Sequence, residues 1–202
     1  MDTERYLRDQ REALRASVEY FRSANINERN LWVGREFLQN LNVAFRDSDV
    51  TAPASDPPDA IYQDLRFEVK EILDEGRRRH AEYKQALAKA ERATDPQELL
   101  SDYSPKDHTP TQVVDLIASK LPAFSTKYEP TFRKTLDLLV YVNLNEHSPR
   151  PGNLPDCSQL DSFGWRSVSA VFGWASFILN AQRAAPAFLQ SRAGTVTFRR
   201  FE

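Results

Sequence analysis

Residues 57–72 read PPDAIYQDLRFEVKEI, and this stretch gives the clearest prediction of local structure in the chain. Residues 65–72 alternate between apolar and polar side chains, which is the period of a half-buried β-strand. A shorter run of the same kind occupies residues 60–62. With Gln63 and Asp64 as a two-residue turn between them, the stretch predicts a β-hairpin.

The predicted turn also decides which side chains face each other. It pairs Ala60 with Phe67 and then places Asp59 opposite Glu68, at a Cβ separation of about 5 Å. Lys70 projects from the same face as Glu68, because side chains two residues apart share one side of a strand. Two opposed carboxylates repel each other unless a cation lies between them, so the pair predicts an oxygen site for Mg²⁺ or Mn²⁺. A longer turn would move Asp59 away from Glu68.

Two acids and a lysine on one surface suit the hydrolysis of phosphodiester bonds. A bound metal ion polarises a phosphoryl oxygen and activates water, while a lysine orients that water and stabilises developing negative charge. Pro58-Asp59 followed by Glu68-Val69-Lys70 resembles the PD-(D/E)xK signature of the restriction-endonuclease-like nuclease superfamily. The whole chain also resembles a small family of uncharacterised bacterial endonucleases.

The resemblance implies a role for each residue of the motif. Asp59 and Glu68 would bind the metal together with the backbone carbonyl of Val69, and Lys70 would position the attacking water. A helix that precedes the motif commonly supplies another acid in this superfamily, and the matching residue here is Glu36, which would assist in binding the metal. The implied cofactor is Mg²⁺ or Mn²⁺.

The resemblance also implies a nucleic-acid substrate, with DNA favoured. The helix after the third core strand often turns basic or polar residues toward that substrate. The corresponding residues here are Arg77, Arg78, His80 and Lys84.

The rest of the chain reads as helices alternating with buried strands. Predicted helices cover residues 3–23, 27–41, 74–93, 112–121 and 181–191, and apolar strand-like runs cover residues 136–144 and 165–179, the latter as a strand pair or a strand followed by a helix. Such an order predicts one restriction-endonuclease-like α/β domain over residues 1–202, with a central mixed β-sheet flanked by helices. Its nuclease-like core would span about 28–180.

Composition excludes several other classes of protein. Hydrophobic residues make up 41% of the chain and charged residues 28%, which is the balance of a globular protein. The net charge of −2 gives no general attraction to polyanions, so nucleic-acid binding must rest on local patches. One cysteine cannot form an internal disulfide, and no apolar run is long enough to span a bilayer. We therefore expect a cytoplasmic protein with no membrane partner.

Other interpretations remain open, because a second Glu-x-Lys occurs at residues 82–84 within a predicted charged helix. The chain could be a catalytically inactive nuclease fold that binds nucleic acid or protein. It could also have an unrelated fold in which the acids and lysine are a solvated sheet face. The aromatic side chains of residues 163–177 would form core or a homodimer interface. The three histidines are scattered along the chain and predict no zinc site.

Overall fold

The computed structural model describes residues 2–201. Its helices are α1 (Thr3–Tyr20), α2 (Ile26–Asn40), α3 (Arg79–Arg92), α4 (Pro110–Ser125), α5 (Pro130–Arg133) and α6 (Ala187–Gln190). Its strands are β1 (Val50–Thr51), β2 (Ala60–Tyr62), β3 (Leu65–Leu73), β4 (Lys106–His108), β5 (Asp137–Asn143), β6 (His147–Pro149), β7 (Ser167–Phe172), β8 (Ala175–Ala181) and β9 (Thr195–Phe198). Within these residues, no helix is both long and apolar enough to cross a membrane.

The described chain groups into two compact units. The first contains residues 2–26 and 73–104, and its α1 begins where the Asp2 side chain accepts hydrogen bonds from two backbone amides of the first turn. The rings of Phe21 and Tyr83 stack in this unit at 4.8 Å between centroids. The predicted single domain over residues 1–202 stays a prediction.

The second unit, residues 27–72 and 105–201, contains the central sheet. Its seven strands follow the order β1-β2-β3-β5-β7-β8-β9, with β5 and β7 parallel and the hairpin pairs antiparallel. Apolar side chains of α2 pack with one group of strand residues, and those of α4 pack with another. This arrangement confirms the predicted α/β class with a mixed sheet flanked by helices.

The hairpin of residues 60–73 has the predicted register. Ala60 pairs with Phe67 and Tyr62 with Leu65, so the turn consists of the two residues 63 and 64. Gln63 adopts a φ of 52°, the left-handed conformation that tight hairpin turns need. The alternating pattern and the two-residue turn together therefore account for the strand pairing observed here.

Other segments differ from the prediction. Helix α3 begins at Arg79 because residues 74–78 form a turn, in which Gly76 has a φ of 75° and the Arg77 amide donates to the Asp74 carbonyl. Residues 165–179 resolve into a strand pair, and β8 continues to Ala181 because that residue pairs with β7. The predicted helix over 181–191 consequently shrinks to the four residues of α6.

Candidate metal centre

The Asp59 carboxylate is held in place by neighbouring groups on two elements. The Asp59 amide donates to the Phe67 carbonyl at 2.8 Å, which extends the hairpin by one step beyond β2. Oδ2 accepts a hydrogen bond from the Val69 amide at 2.8 Å, and Oδ1 accepts one from Asn30 Nδ2 at 2.8 Å. Strand β3 and helix α2 therefore orient this carboxylate together.

Glu68 is fully buried, and its two carboxylate oxygens have different surroundings. Oε1 accepts a hydrogen bond from the Tyr128 hydroxyl at 2.6 Å and contacts the Lys70 ammonium. Oε2 is buried without a hydrogen-bond partner among residues 2–201. An unsatisfied buried acceptor costs about 1–3 kcal/mol, so Oε2 is suited to receive a ligand such as a cation.

A third carboxylate, that of Asp56, completes the cluster. One ligand oxygen from each of Asp56, Asp59 and Glu68 lies within 4.8 Å of the other two. Asp56 is exposed, Asp59 is half-buried and Glu68 is buried, so the group is open to solvent on one side. Carboxylate oxygens at this spacing fit a hard divalent cation such as Mg²⁺ or Mn²⁺.

The electrostatics of the cluster also favour a cation. Burial and the nearby negative charge of Glu68 raise the pKa of Asp59 from 3.8 to about 6, against the opposing effects of the Val69 amide and Lys70. Burial and the hydrogen bond to Glu68 raise the pKa of the Tyr128 hydroxyl, which therefore stays protonated and donates to Oε1. A divalent ion would relieve the repulsion between the carboxylates.

A family profile described as "Putative endonuclease, protein of unknown function (DUF1780)" matches residues 2–201. The chain belongs to this family. No functionally curated protein matches it.

A solved structure of a protein of unknown function from Pseudomonas aeruginosa strain PAO1, described as belonging to the monooxygenase superfamily, is also similar. The two chains share 26% sequence identity with a TM-score of 0.64. The match covers 98% of this chain and 96% of the other.

Lys70 lies beside the carboxylates that the motif predicted as metal ligands. Its Nζ contacts Glu68 Oε1 and lies 3.4 Å from the carbonyl oxygen of Val69. The lysine, the two predicted acids and the Val69 carbonyl are therefore brought together. Their assignment to catalysis and metal binding stays a prediction.

Glu36 is placed elsewhere. Its carboxylate forms an ion pair with Arg199, whose Nε also donates to Asn40 Oδ1 at 2.9 Å. The group of converging carboxylates found within residues 2–201 does not include it. Helix α2 contacts Asp59 through Asn30. Glu36 lies six positions further along this helix, which places it about 9 Å from Asn30 along the helix axis.

The four residues predicted to contact nucleic acid lie in the first unit. Arg77 pairs there with Glu82 at 2.7 Å and with Asp74 at 3.5 Å. A role for Arg77, Arg78, His80 and Lys84 in substrate binding stays a prediction.

Sequence reasoning missed Asp56, Asn30 and Tyr128. For Asp56 a signal existed, since Asp-Pro-Pro-Asp places two acids three positions apart immediately before β2. Tyr128 is 60 residues from Glu68 in sequence, and its neighbourhood contains no pattern that points to the hairpin.

Two of the histidines that looked scattered are also in contact. Strands β4 and β6 pair in parallel and align the rings of His108 and His147 at 4.7 Å between centroids, with a hydrogen-bonding contact between ring nitrogens. Burial and the neighbouring His147 lower the pKa of His108, so its imidazole is neutral at pH 7.

Proposed function

We propose that this protein is a metal-dependent nuclease of the PD-(D/E)xK superfamily that hydrolyses phosphodiester bonds of nucleic acid, with DNA as the favoured substrate. The observation that carries the proposal is the convergence of the Asp56, Asp59 and Glu68 carboxylates beside Lys70, together with a Glu68 oxygen that is buried without a hydrogen-bond partner among the described residues. Membership in a family whose description reads "Putative endonuclease, protein of unknown function" supports it.

Glu68 Oε2, Asp59 and the Val69 carbonyl would hold Mg²⁺ or Mn²⁺, and Asp56 would complete the shell from the solvent side. The bound ion would polarise a phosphoryl oxygen and lower the pKa of a coordinated water. The Val69 amide and Asn30 keep the Asp59 carboxylate oriented before any ion arrives, which reduces the cost of assembling the site.

Lys70 and Tyr128 both contact the other carboxylate oxygen of Glu68. Their donors both lie at Oε1, which leaves Oε2 for the cation. The Lys70 ammonium would hold the attacking water and stabilise charge on the phosphate as it develops. The Tyr128 hydroxyl keeps the glutamate in one orientation.

The similar Pseudomonas aeruginosa structure is described as a monooxygenase-superfamily protein, and the donor set here distinguishes this proposal from one class of oxygenase, the non-haem iron enzymes. Non-haem iron oxygenases use two histidines and one carboxylate. The cluster found within residues 2–201 consists of three carboxylates, a set that suits Mg²⁺ or Mn²⁺.

The test is cleavage of plasmid DNA by purified protein with Mg²⁺ or Mn²⁺ and with EDTA. We expect cleavage that needs the metal and falls at least about 100-fold in Glu68→Gln and in Lys70→Met. Lys120→Met, which changes an exposed lysine of α4, serves as the control and should cleave normally. Unaltered cleavage by the Glu68 and Lys70 variants would overturn the site, and metal-dependent DNA binding without cleavage would favour the inactive binding module.

A further inference from the structure

A second lysine, Lys127, lies at the candidate metal centre and is not part of the motif. Its Nζ is 3.8 Å from Glu68 Oε1 and 4.9 Å from the centroid of the Tyr128 ring. The Nζ of Lys70 is 5.9 Å from the centroid of that ring. One buried carboxylate oxygen and one aromatic ring therefore lie within reach of two ammonium groups.

The two lysines differ in their access to solvent. The side chain of Lys127 is 55% exposed and that of Lys70 is 22% exposed, whereas the Glu68 side chain is 1% exposed. Lys127 thus lies where the buried part of the cluster meets solvent. A substrate that arrives from solution would meet Lys127 before it meets Lys70.

Among the contacts of Glu68 Oε1, the one with Lys127 is the easiest to break. At 3.8 Å it is a charge contact without a hydrogen bond, whereas Tyr128 donates to the same oxygen at 2.6 Å. Glu68 Oε1 would keep Tyr128 and Lys70 if Lys127 moved away. A partly exposed ion pair is weak, so its loss costs little.

The charge of the cluster indicates which anion the site would accept. Three ionised carboxylates and two ammonium groups sum to −1, and one divalent cation changes the sum to +1. A phosphodiester carries one negative charge, whereas a terminal phosphate carries close to two at neutral pH. The loaded cluster is therefore positively charged, and one internal phosphodiester would neutralise it.

From these contacts we infer that Lys127 binds a non-bridging oxygen of an internal phosphodiester, moving to it from Glu68 Oε1 once a divalent cation is bound. The inference rests on the proposed nuclease function and adds a substrate-binding residue to it. Lys70 then positions the reacting water, and Lys127 increases the affinity for the substrate.

The experiment separates binding from cleavage. A short fluorescent DNA duplex is titrated with protein in Ca²⁺, over a series of salt concentrations, and followed by anisotropy. We expect Lys127→Gln to reduce the slope of log Kd against log salt by about 0.9, the loss of one phosphate contact. Lys127→Arg should keep the slope of the wild type, and Lys120→Gln is the matched control for an exposed lysine near the same helix end.

Cleavage kinetics in Mg²⁺ supply the second readout. Lys127→Gln should raise KM with kcat little changed, whereas Lys70→Met should lower kcat. A wild type that binds and cleaves DNA, with Lys127→Gln indistinguishable from Lys120→Gln, would overturn the role of Lys127 alone. A wild type that neither binds nor cleaves DNA would overturn this inference together with the proposed function. Equal thermal unfolding of the variants verifies that each is folded.

Discussion

Removing the charge of Asp59 should stabilise the metal-free protein at neutral pH. Asp59 is held beside Glu68 in a half-buried position, and its pKa rises from 3.8 to about 6. The folded protein therefore carries an unfavourable negative charge at pH 7.5 unless a cation compensates it. The substitution Asp59→Asn removes this charge with almost no change in volume.

The magnitude follows from the pKa shift. A rise of about 2.2 units corresponds to about 3 kcal/mol, since one unit is about 1.4 kcal/mol. Asp59 is partly exposed, and solvent screening reduces the figure to about half, or about 1.5 kcal/mol. For a chain of this length, that is an increase in Tm of about 3–6 °C. The asparagine oxygen can still accept from the Val69 amide, and Asn30 can rotate its own amide to accept from the new NH₂ group.

The sign of the pH dependence is fixed by the same shift. Below pH 3.8 the aspartate is protonated in both the folded and the unfolded state, so it adds no difference. Between 3.8 and about 6 the folded state keeps a proton that the unfolded state has lost, so the stability of the wild type falls as the pH rises. Above about pH 6 the penalty is constant, and the advantage of Asp59→Asn is largest.

The assay is thermal unfolding from pH 4 to pH 8 in EDTA, followed by circular dichroism, with Asp115→Asn on the exposed side of α4 as control. The Tm difference between Asp59→Asn and wild type should be largest at pH 7.5 and vanish near pH 4. Added Mn²⁺ should raise the Tm of the wild type and leave that of Asp59→Asn nearly unchanged. An Asp59→Asn protein that is less stable than wild type at pH 7.5 would refute this reasoning.

Two further substitutions test the candidate metal centre and its surroundings, and a third tests a buried ion pair of the central sheet. Tyr128→Phe removes the hydroxyl that orients Glu68, so it should weaken Mn²⁺ binding about tenfold when measured by calorimetry. An unchanged affinity would contradict the positioning role of Tyr128. Asp56→Asn should weaken Mn²⁺ binding less than Asp59→Asn does, because Asp56 is the exposed ligand. The reverse order in the same titration would contradict the assignment of Asp56 to the solvent side of the metal. Asp137→Ala leaves Arg166 without its buried partner and should lower the free energy of unfolding in urea by about 3–5 kcal/mol, whereas a loss below about 1 kcal/mol would show that the pair is not structural.

The part of the site that lies on the hairpin could be predicted from the sequence, because local patterns determine it. The alternation in residues 65–72 and the two-residue turn placed Ala60 opposite Phe67, and the structure has this pairing. The same register brings Asp59 close to Glu68 and places Lys70 on the same face of the strand as Glu68. The prediction of Glu36 as a metal ligand came from resemblance and not from register, and the structure pairs that residue with Arg199.

The sequence by itself determined the hairpin, because side chains of period two and a short turn allow only one pairing that buries the apolar face. Only the tertiary structure decided what surrounds Glu68: Tyr128 and Lys127 reach it from beyond the end of α4, 60 and 59 residues further along the chain. It also brought Asn30, rather than Glu36, to Asp59. Such contacts depend on how α2 and α4 pack against the sheet, and that packing is set by the whole core rather than by any one segment.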